Sequence, residues 1–326
     1  MENNTLKEIG SQLLSANRIL LFPHMQIDGD AYGSAVALCL ALRNLGKEVY
    51  VLLEDEVPAF LSFLTCDFCL EGEPPFDSAD IAIAIDCSDV GRFEKRKDWY
   101  FKGNVTICLD HHMTTGVFAD FNYIDSSAAA TGEIIYDLLK VMNCDFNAEI
   151  ANALYAAITT DTGNFRYSNT TKRTHLIVAD LYDTGLDHTK VCVEIYENVR
   201  RERVKLSADA LKDMQLFCDG SAGLVSVTQK MLEVNHTSME ETEGIIDTLK
   251  SIEGIEIAAL LKEKEKEIIK VSLRAKSYGN VANIAQKFHG GGHIKAAGCT
   301  IHDSLDNAKK MIIGAIEEEL MKGSSI

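Results

Sequence analysis

Residues 104–112, Asn104-Val105-Thr106-Ile107-Cys108-Leu109-Asp110-His111-His112, read as a short apolar strand that ends on an acid and two imidazoles. An unbroken apolar run of this length suits a strand buried on both faces of a sheet. The same arrangement recurs upstream. Arg18-Ile19-Leu20-Leu21-Phe22 leads into His24, Asp28 and Asp30, and Ile81-Ala82-Ile83-Ala84-Ile85 leads into Asp86. Glu48 to Leu53 is a further β-branched run, whereas Ser34 to Leu45 carries apolar residues all round and ends at Gly46, as a buried helix would. The alternation predicts an α/β fold whose N-terminal sheet is mostly parallel, with helices on both faces. Ligands of such sheets sit beyond the carboxyl ends of the strands, where these His and Asp residues fall.

After Tyr123 the pattern turns helical, with helices expected over Ser127 to Met142, Ala148 to Thr159 and Lys172 to Tyr182, the last closed by Gly185. Residues 187–214 contain no helix breaker and read as one semi-rigid helical connector with a solvated charged face. Strand patterns resume at Gly223 to Gln229, Ile257 to Leu261 and Ile268 to Leu273. Asn280 to Phe288 and Asp303 to Met321 read as helices around the cluster His289-Gly290-Gly291-Gly292-His293. The expected organisation is a larger α/β domain over 1–186, the connector over 187–214, and a smaller α/β domain over 215–326.

Composition limits the partners. With 32 Lys and Arg against 49 Asp and Glu, the net charge of -17 speaks against a broad footprint on long nucleic acid, which needs many cations facing phosphates. An acidic chain that handles a polyanion has to concentrate positive potential locally, which points to short substrates. No run approaches the roughly 20 apolar residues of a membrane span, and Met1-Glu2-Asn3-Asn4 lacks a basic segment leading into an apolar one. Nine cysteines, most inside apolar runs, suit a reducing compartment, so a cytoplasmic location without membrane association is expected.

His24, Asp28 and Asp30 place an imidazole and two carboxylates within seven residues, and Gly29 and Gly33 would let an intervening loop turn tightly. The further oxygen ligands and closing Glu of a calcium loop are missing. Mixed His and carboxylate donors suit Mn²⁺, Fe²⁺ or Zn²⁺. Asp86 ends a run that reads as a central strand, where a carboxylate is costly unless it meets a cation. Asp161, in Thr159-Thr160-Asp161-Thr162-Gly163, closes another apolar stretch. One such residue alone would be a cap or a satisfied polar group; the argument rests on their recurrence at element ends. Ser34 reads as a helix N-cap rather than a nucleophile.

In order, His24-x-x-x-Asp28-x-Asp30, Asp86, Asp110-His111-His112 and Asp161 resemble the four motifs of the DHH phosphoesterases, and Gly290-Gly291-Gly292-His293 resembles the signature of the DHHA1 domain that follows in one subfamily. The resemblance covers nearly the whole chain. It implies two divalent cations, ordinarily Mn²⁺: His24, Asp28 and Asp86 would hold one, and Asp30, Asp86, His111 and Asp161 the other, with Asp86 bridging. His112 would then contact phosphate and act as general acid, and Asp110 would orient a histidine. It further implies hydrolysis of very short RNA to mononucleotides and dephosphorylation of 3′-phosphoadenosine 5′-phosphate (pAp) by a homodimer.

The three glycines are open to two readings, a flexible turn or a bare backbone that a ligand approaches closely. Flanking His289 and His293, with Arg274 and Lys295 near in sequence, favour an anion. On the resemblance, this loop and Arg274 bind the substrate's terminal phosphate or its bases. Arg166 is either a further phosphate contact or half of a surface ion pair. Two rivals stand beside this reading. One keeps the chemistry but cleaves a cyclic dinucleotide or linear pApA; the other is an RNA-binding module whose metal site is only structural.

Overall fold

The structure, a computed structural model, describes residues 3–323. Two compact units divide the chain at Asn198 and Val199.

In the first unit the elements run α1 (Leu6–Ser15), β1 (Arg18–Pro23), α2 (Gly29–Asn44), β2 (Glu48–Leu52), β3 (Cys69–Leu70), β4 (Ile81–Ile85), α3 (Lys97–Tyr100), β5 (Val105–Asp110), β6 (Phe121–Ile124), α4 (Thr131–Val141), α5 (Ala148–Asp161), α6 (Lys172–Asp183) and α7 (His188–Cys192). The strands form one sheet in the order β3-β2-β1-β4-β5-β6, and every pairing is parallel. Alternation within β1 explains why both faces must be covered. Ile19 and Leu21 enter the large core beneath α1, α2, α4 and α5. Leu20 and Phe22 face a smaller one closed by Phe93 and Tyr100. Each such side chain, fully removed from water, contributes about 1.5–3 kcal/mol. The second face is thus covered by the turn Val90–Arg96 and the short α3, where Tyr100 packs edge-on to Phe22 at 5.5 Å between ring centres.

The order of strands reverses between β1 and β4, so the chain leaves these neighbours in opposite directions and opens a crevice at their carboxyl ends. His24 and Asp86 stand there.

Three expectations need correction. Helix α2 begins at Gly29, not Ser34, and its N-cap is Asp28, whose carboxylate accepts the Ala31 N–H at 3.0 Å. Gly29 and Gly33 therefore lie inside the helix. A Cβ on Gly29 would come 2.3 Å from Thr160 Oγ1, and one on Gly33 2.5 Å from the Ala153 carbonyl, so these glycines let α5 approach α2 closely. The connector is not one helix either. After α7 the chain makes a π-helical turn over Val193–Glu197, leaves helical geometry at Asn198, and restarts as α8 (Arg201–Lys212). No breaker residue is needed, because the two ends answer to different cores: Val191 packs in the first, Leu206 and Ala210 in the second.

The second unit continues with β7 (Gln215–Phe217), β8 (Ala222–Val227), α9 (Gln229–Asn235), α10 (Ile245–Ser251), β9 (Ile257–Glu265), β10 (Ile268–Ala275), α11 (Val281–Gln286), β11 (Gly291–His293), β12 (Ala296–Ile301) and α12 (Leu305–Gly323). Its sheet has the order β11-β12-β10-β9-β8-β7, antiparallel except between β8 and β9. The third correction lies here. The glycine cluster is not a loop throughout, since Gly291 to His293 pair with β12 as an exposed edge strand. Gly290 and Gly292 are required by close approach: a Cβ would lie 2.2 Å from the Gly298 carbonyl or 2.5 Å from that of Ala296, and Gly292 has φ +137°. Around Gly291 there is open space.

Candidate metal centre

Seven side chains converge at the carboxyl edge of the first sheet. The ligating atoms of His24, Asp28 and Asp86 lie within 4.8 Å of one another, as do those of Asp30, His111 and Asp161, and those of Asp86, His111 and His112. Asp86 faces both ways. Its Oδ2 is 3.5 Å from His24 Nε2, and its Oδ1 is 3.7 Å from His111 Nε2 and 3.5 Å from His112 Nδ1.

Local structure aims each donor. Asp86 follows β4 with φ +58°, a left-handed conformation uncommon outside glycine that turns its carboxylate over the strand end. Asp28 uses one oxygen to cap α2 and turns the other to His24 at 3.3 Å. Asp30 sits in the first turn of α2, and Asp161 is the last residue of α5, so the glycine-mediated contact of these helices brings the two carboxylates to one place. A negative side chain at a helix C-terminus is unfavourable by itself. His111 Nε2 lies 3.7 Å from Asp30 and 3.6 Å from Asp161.

The histidines are held in one orientation. His24 Nδ1 is 2.7 Å from the Met25 carbonyl and His111 Nδ1 is 3.2 Å from that of Ala128, which makes Nδ1 the donor and turns Nε2 toward the carboxylates. His112 differs, because its Nδ1 donates to Asp110 at 2.7 Å. Asp110 is fully buried and already engaged: it accepts the His111 N–H at 2.8 Å and the Thr115 hydroxyl.

Several supporting residues stand out in no motif of the sequence. Thr131 donates its hydroxyl to Asp86 at 2.8 Å, while the N–H groups of Thr131 and Gly132 donate to Asp30 at 2.7 and 2.9 Å. One clue existed. Helix α4 starts after Ala130, which has no capping side chain, and Asp30 supplies the missing acceptor from another helix. Ser34, placed inside α2, also donates to Asp30, at 3.1 Å, which excludes the N-cap role expected for it. Asn169 ties the carbonyls of Ala129 and Asp161 together at 2.9 and 3.1 Å.

Electrostatics follow from this crowding. Burial works to lower the pKa of His24, but the adjoining Asp28 and Asp86 push it up to about 10. Asp30 is raised well above the carboxylate range by burial and by the charge of Asp86. Burial acts the same way on Asp86, yet His24 and the other histidines hold it below its ordinary value. His112 is raised, chiefly by its bond to Asp110. Among the described residues, Asp28, Asp30, Asp86 and Asp161 form ion pairs with histidines and with no Lys or Arg. Four carboxylates so placed, with imidazole Nε2 atoms oriented among them, fit divalent cations of the borderline class.

The other expected site residues belong to other elements. Arg166 is exposed in the turn after α5, where Nε donates to the Gly163 carbonyl at 2.7 Å, and no ion pair of its side chain is found among the described residues. Arg274, on β10, is half-buried and donates to the Leu273 carbonyl at 3.1 Å. His293 pairs with Ala296 in the edge strand, and His289 precedes that strand with φ +56°. Lys295 is committed to the carbonyls of Ser277 and Gly279.

Comparison with known proteins agrees with this geometry. A model of the DHH family, N-terminal domain, matches residues 18–158, and one of the DHHA1 domain matches residues 226–320. The chain is 30% identical over 305 residues to the bifunctional oligoribonuclease and PAP phosphatase NrnA of Thermus thermophilus, spanning 93% of this chain and 90% of that protein. It is 29% identical over 298 residues to the protein of that name from Bacillus subtilis, spanning 90% and 92%. The solved structure of an exopolyphosphatase-related protein from Bacteroides fragilis superposes with a TM-score of 0.89 at 24% identity, over 96% of this chain and 95% of that one, and so has the same fold.

Proposed function

We propose, from the premise that the chain belongs to the DHH/DHHA1 family of phosphoesterases, that this hydrolase degrades short oligoribonucleotides to mononucleotides and dephosphorylates pAp. The observation that carries the reading is the two-sided placement of Asp86, with one oxygen toward His24 and the other toward His111. On this reading His24, Asp28 and Asp86 hold one divalent cation, and Asp30, Asp86, His111 and Asp161 a second, both most simply Mn²⁺. Such a pair supplies charge neutralisation at phosphorus and a water acidic enough to react near neutral pH.

The remaining steps belong to the protein. The carbonyls of Met25 and Ala128 keep His24 and His111 in one tautomer. Water adds to phosphorus and releases a proton to solvent, the bond from phosphorus to the ribose oxygen breaks, and His112 gives its Nε2 proton to that oxygen and regains one from solvent. Asp110 holds Nδ1 and raises the imidazole pKa, which keeps the acid charged before transfer. No covalent intermediate is needed. Ser34 is fully buried and its hydroxyl is committed to Asp30.

Substrate contacts fall to Arg274, His289, Gly290, Gly291, Gly292 and His293 of the second unit, with Arg166 of the first as a phosphate contact. The protein's charge of -17 gives long nucleic acid no additional attraction, in keeping with short substrates. We place the reaction in the cytoplasm of the cell, in a homodimer; the nine cysteines, all unpaired, agree with a reducing compartment. Among the described residues, no helix is long and apolar enough to cross a membrane.

The test is one panel, with Mn²⁺ and with chelator: a 5′-labelled RNA ladder, pAp, pyrophosphate, a cyclic dinucleotide, linear pApA and long single-stranded DNA. Metal-dependent release from short RNA and pAp is expected. Turnover confined to the dinucleotides would replace this reading with its rival, and no turnover of any substrate would return the chain to a binding role.

A further inference from the structure

We propose that Lys262 and Lys270, in line with Arg274, form a second phosphate subsite on the sheet of the C-terminal unit and so read the length of a short RNA chain. The proposal rests on the action on short RNA put forward above.

The register of the sheet sets the residues in rows. Lys262 on β9 stands directly opposite Lys270 on β10, and Lys270 in turn pairs with Thr300 on β12. Two residues along β10, Ser272 pairs with Gly298, which pairs with Gly291. Two further on, Arg274 pairs with Ala296, which pairs with His293. Alternation along a strand puts residues 270, 272 and 274 on one face. The lysine pair therefore extends the surface that carries Arg274, Gly291 and His293. Between Lys270 and Arg274 lies Ser272, with Gly298 beside it on β12 and the buried Leu260 beside it on β9, so a sugar-phosphate backbone has room along the β12 side.

Folding alone gives no reason for this arrangement. Like charges directly opposite on neighbouring strands are destabilising. Among the described residues, none of Lys262, Lys270 and Arg274 lies within salt-bridge distance of a carboxylate, although the protein carries 49 acidic side chains. Glu243 acts on Lys262, and Glu240 on both Lys262 and Lys270, only at longer range. The cations feel one another: Lys262 is half-buried, and burial, then Lys270 and, more weakly, Arg274, lower its pKa. A bound phosphate would relieve all three.

Space and reach agree. Lys270 also lines a cavity of about 410 Å³ with Gln229, Ser238, Met239 and Lys264, and with two carboxylates, Glu233 and Glu240, at its wall. The amide, hydroxyl and thioether groups suit a nucleoside. Four residues of antiparallel strand separate Lys270 from Arg274, about 13 Å. One phosphodiester step cannot bridge that distance. A chain with several phosphates engages both groups, whereas pAp, with its two phosphates on one ribose, reaches one.

The experiment compares wild type with K262M/K270M, which keeps the packing of the stems, with K262R/K270R, which keeps the charge, and with R274A, on pAp and on RNA of two to five nucleotides. For K262M/K270M, KM on the pentanucleotide should rise roughly tenfold, with kcat retained. That ratio should shrink toward the dinucleotide and pAp, and K262R/K270R should restore it. The salt dependence of pentanucleotide KM should flatten, since each phosphate that the variant no longer neutralises takes about 0.7 from a single-strand slope. R274A should raise KM on every length. An equal rise on pAp and pentanucleotide, or no rise where R274A shows one, overturns the subsite. If wild type cleaves no RNA, the proposed function itself has failed, and the two results are thereby distinguished.

Discussion

Thr131 donates its hydroxyl to Oδ1 of Asp86 at 2.8 Å, so the carboxylate that stands between two groups of candidate donors is anchored from the first turn of α4. Both residues are buried. This bond directs Oδ1 toward His111 and leaves Oδ2 to His24.

Thr131→Val removes the hydroxyl but keeps the β-branched shape. Groups that orient a metal ligand typically contribute 10–100-fold in affinity or activity, so Mn²⁺ binding by T131V should weaken by roughly that factor. Calorimetric titration of the chelator-treated protein measures it. Affinity equal to wild type would show that Asp86 needs no such anchor.

Cation binding should release protons. With protein groups alone, His24 has its pKa pushed up to about 10, so it is charged near neutral pH and must lose its proton to become a ligand. Affinity should rise with pH across the neutral range. Titrations in two buffers of different ionisation enthalpy should give different apparent heats. The raised pKa also bears on stability: a raised histidine stabilises the metal-free fold fully below its unfolded value and loses that contribution as pH climbs toward 10. Identical heats in both buffers at neutral pH count against this protonation scheme.

Two glycines of the edge strand should separate structure from binding. Gly292→Ala meets the Ala296 carbonyl at 2.5 Å and has φ +137°, so it should lower the melting temperature, by about 1–3 kcal/mol of stability. Gly291→Ala has open space around its Cβ and should fold normally. If substrate approaches the bare backbone, G291A should raise KM with little effect on kcat. Unchanged kinetics in a stable G291A would leave the glycines a purely structural explanation.

Glu256 organises the turn that precedes α11. It accepts N–H groups from Ser277 at 2.8 Å and from Tyr278 and Gly279 at 2.7 Å each, with the Ser277 hydroxyl at 2.6 Å. Burial acts to raise its pKa, but these donors outweigh it and hold the carboxyl below its ordinary value. The stabilisation is complete above the unfolded pKa and is lost as pH falls through the folded one. Glu256→Gln should cost about 1–3 kcal/mol at neutral pH. Its deficit against wild type should narrow at acid pH, below the ordinary carboxylate range, where the wild-type carboxyl also protonates. Thermal melts at both pH values provide the check, and a constant deficit would contradict the account.

Much of this was legible along the chain because its signals are local. Ile81 to Ile85 is a strand over the residues that its apolar run suggests, and Asp86 follows it because a carboxylate does not belong within that run. Asp110-His111-His112 is similar: the acid ends β5, and the two histidines immediately beyond are oriented by different partners, His111 by the Ala128 carbonyl and His112 by Asp110. The helices α5 and α6 likewise start where Asn147 and Thr171 cap them.

Other features were decided by contacts between distant residues, to which periodicity is blind. Asp30 is held by Thr131, 101 residues away, and nothing near either residue announces the other. Gly29 and Gly33 read as loop formers until α5 is seen pressed against them, and Gly291 to His293 read as a loop until β12 supplies the backbone partners. The helix expected over 187–214 breaks because its two ends are buried in different cores. By itself, then, the sequence determined the strand ends and the chemistry of the donors, since apolar runs and residue types are written locally. The tertiary structure alone decided which donors share a place and which atoms face them, because that depends on how closely α2, α4 and α5 can pack.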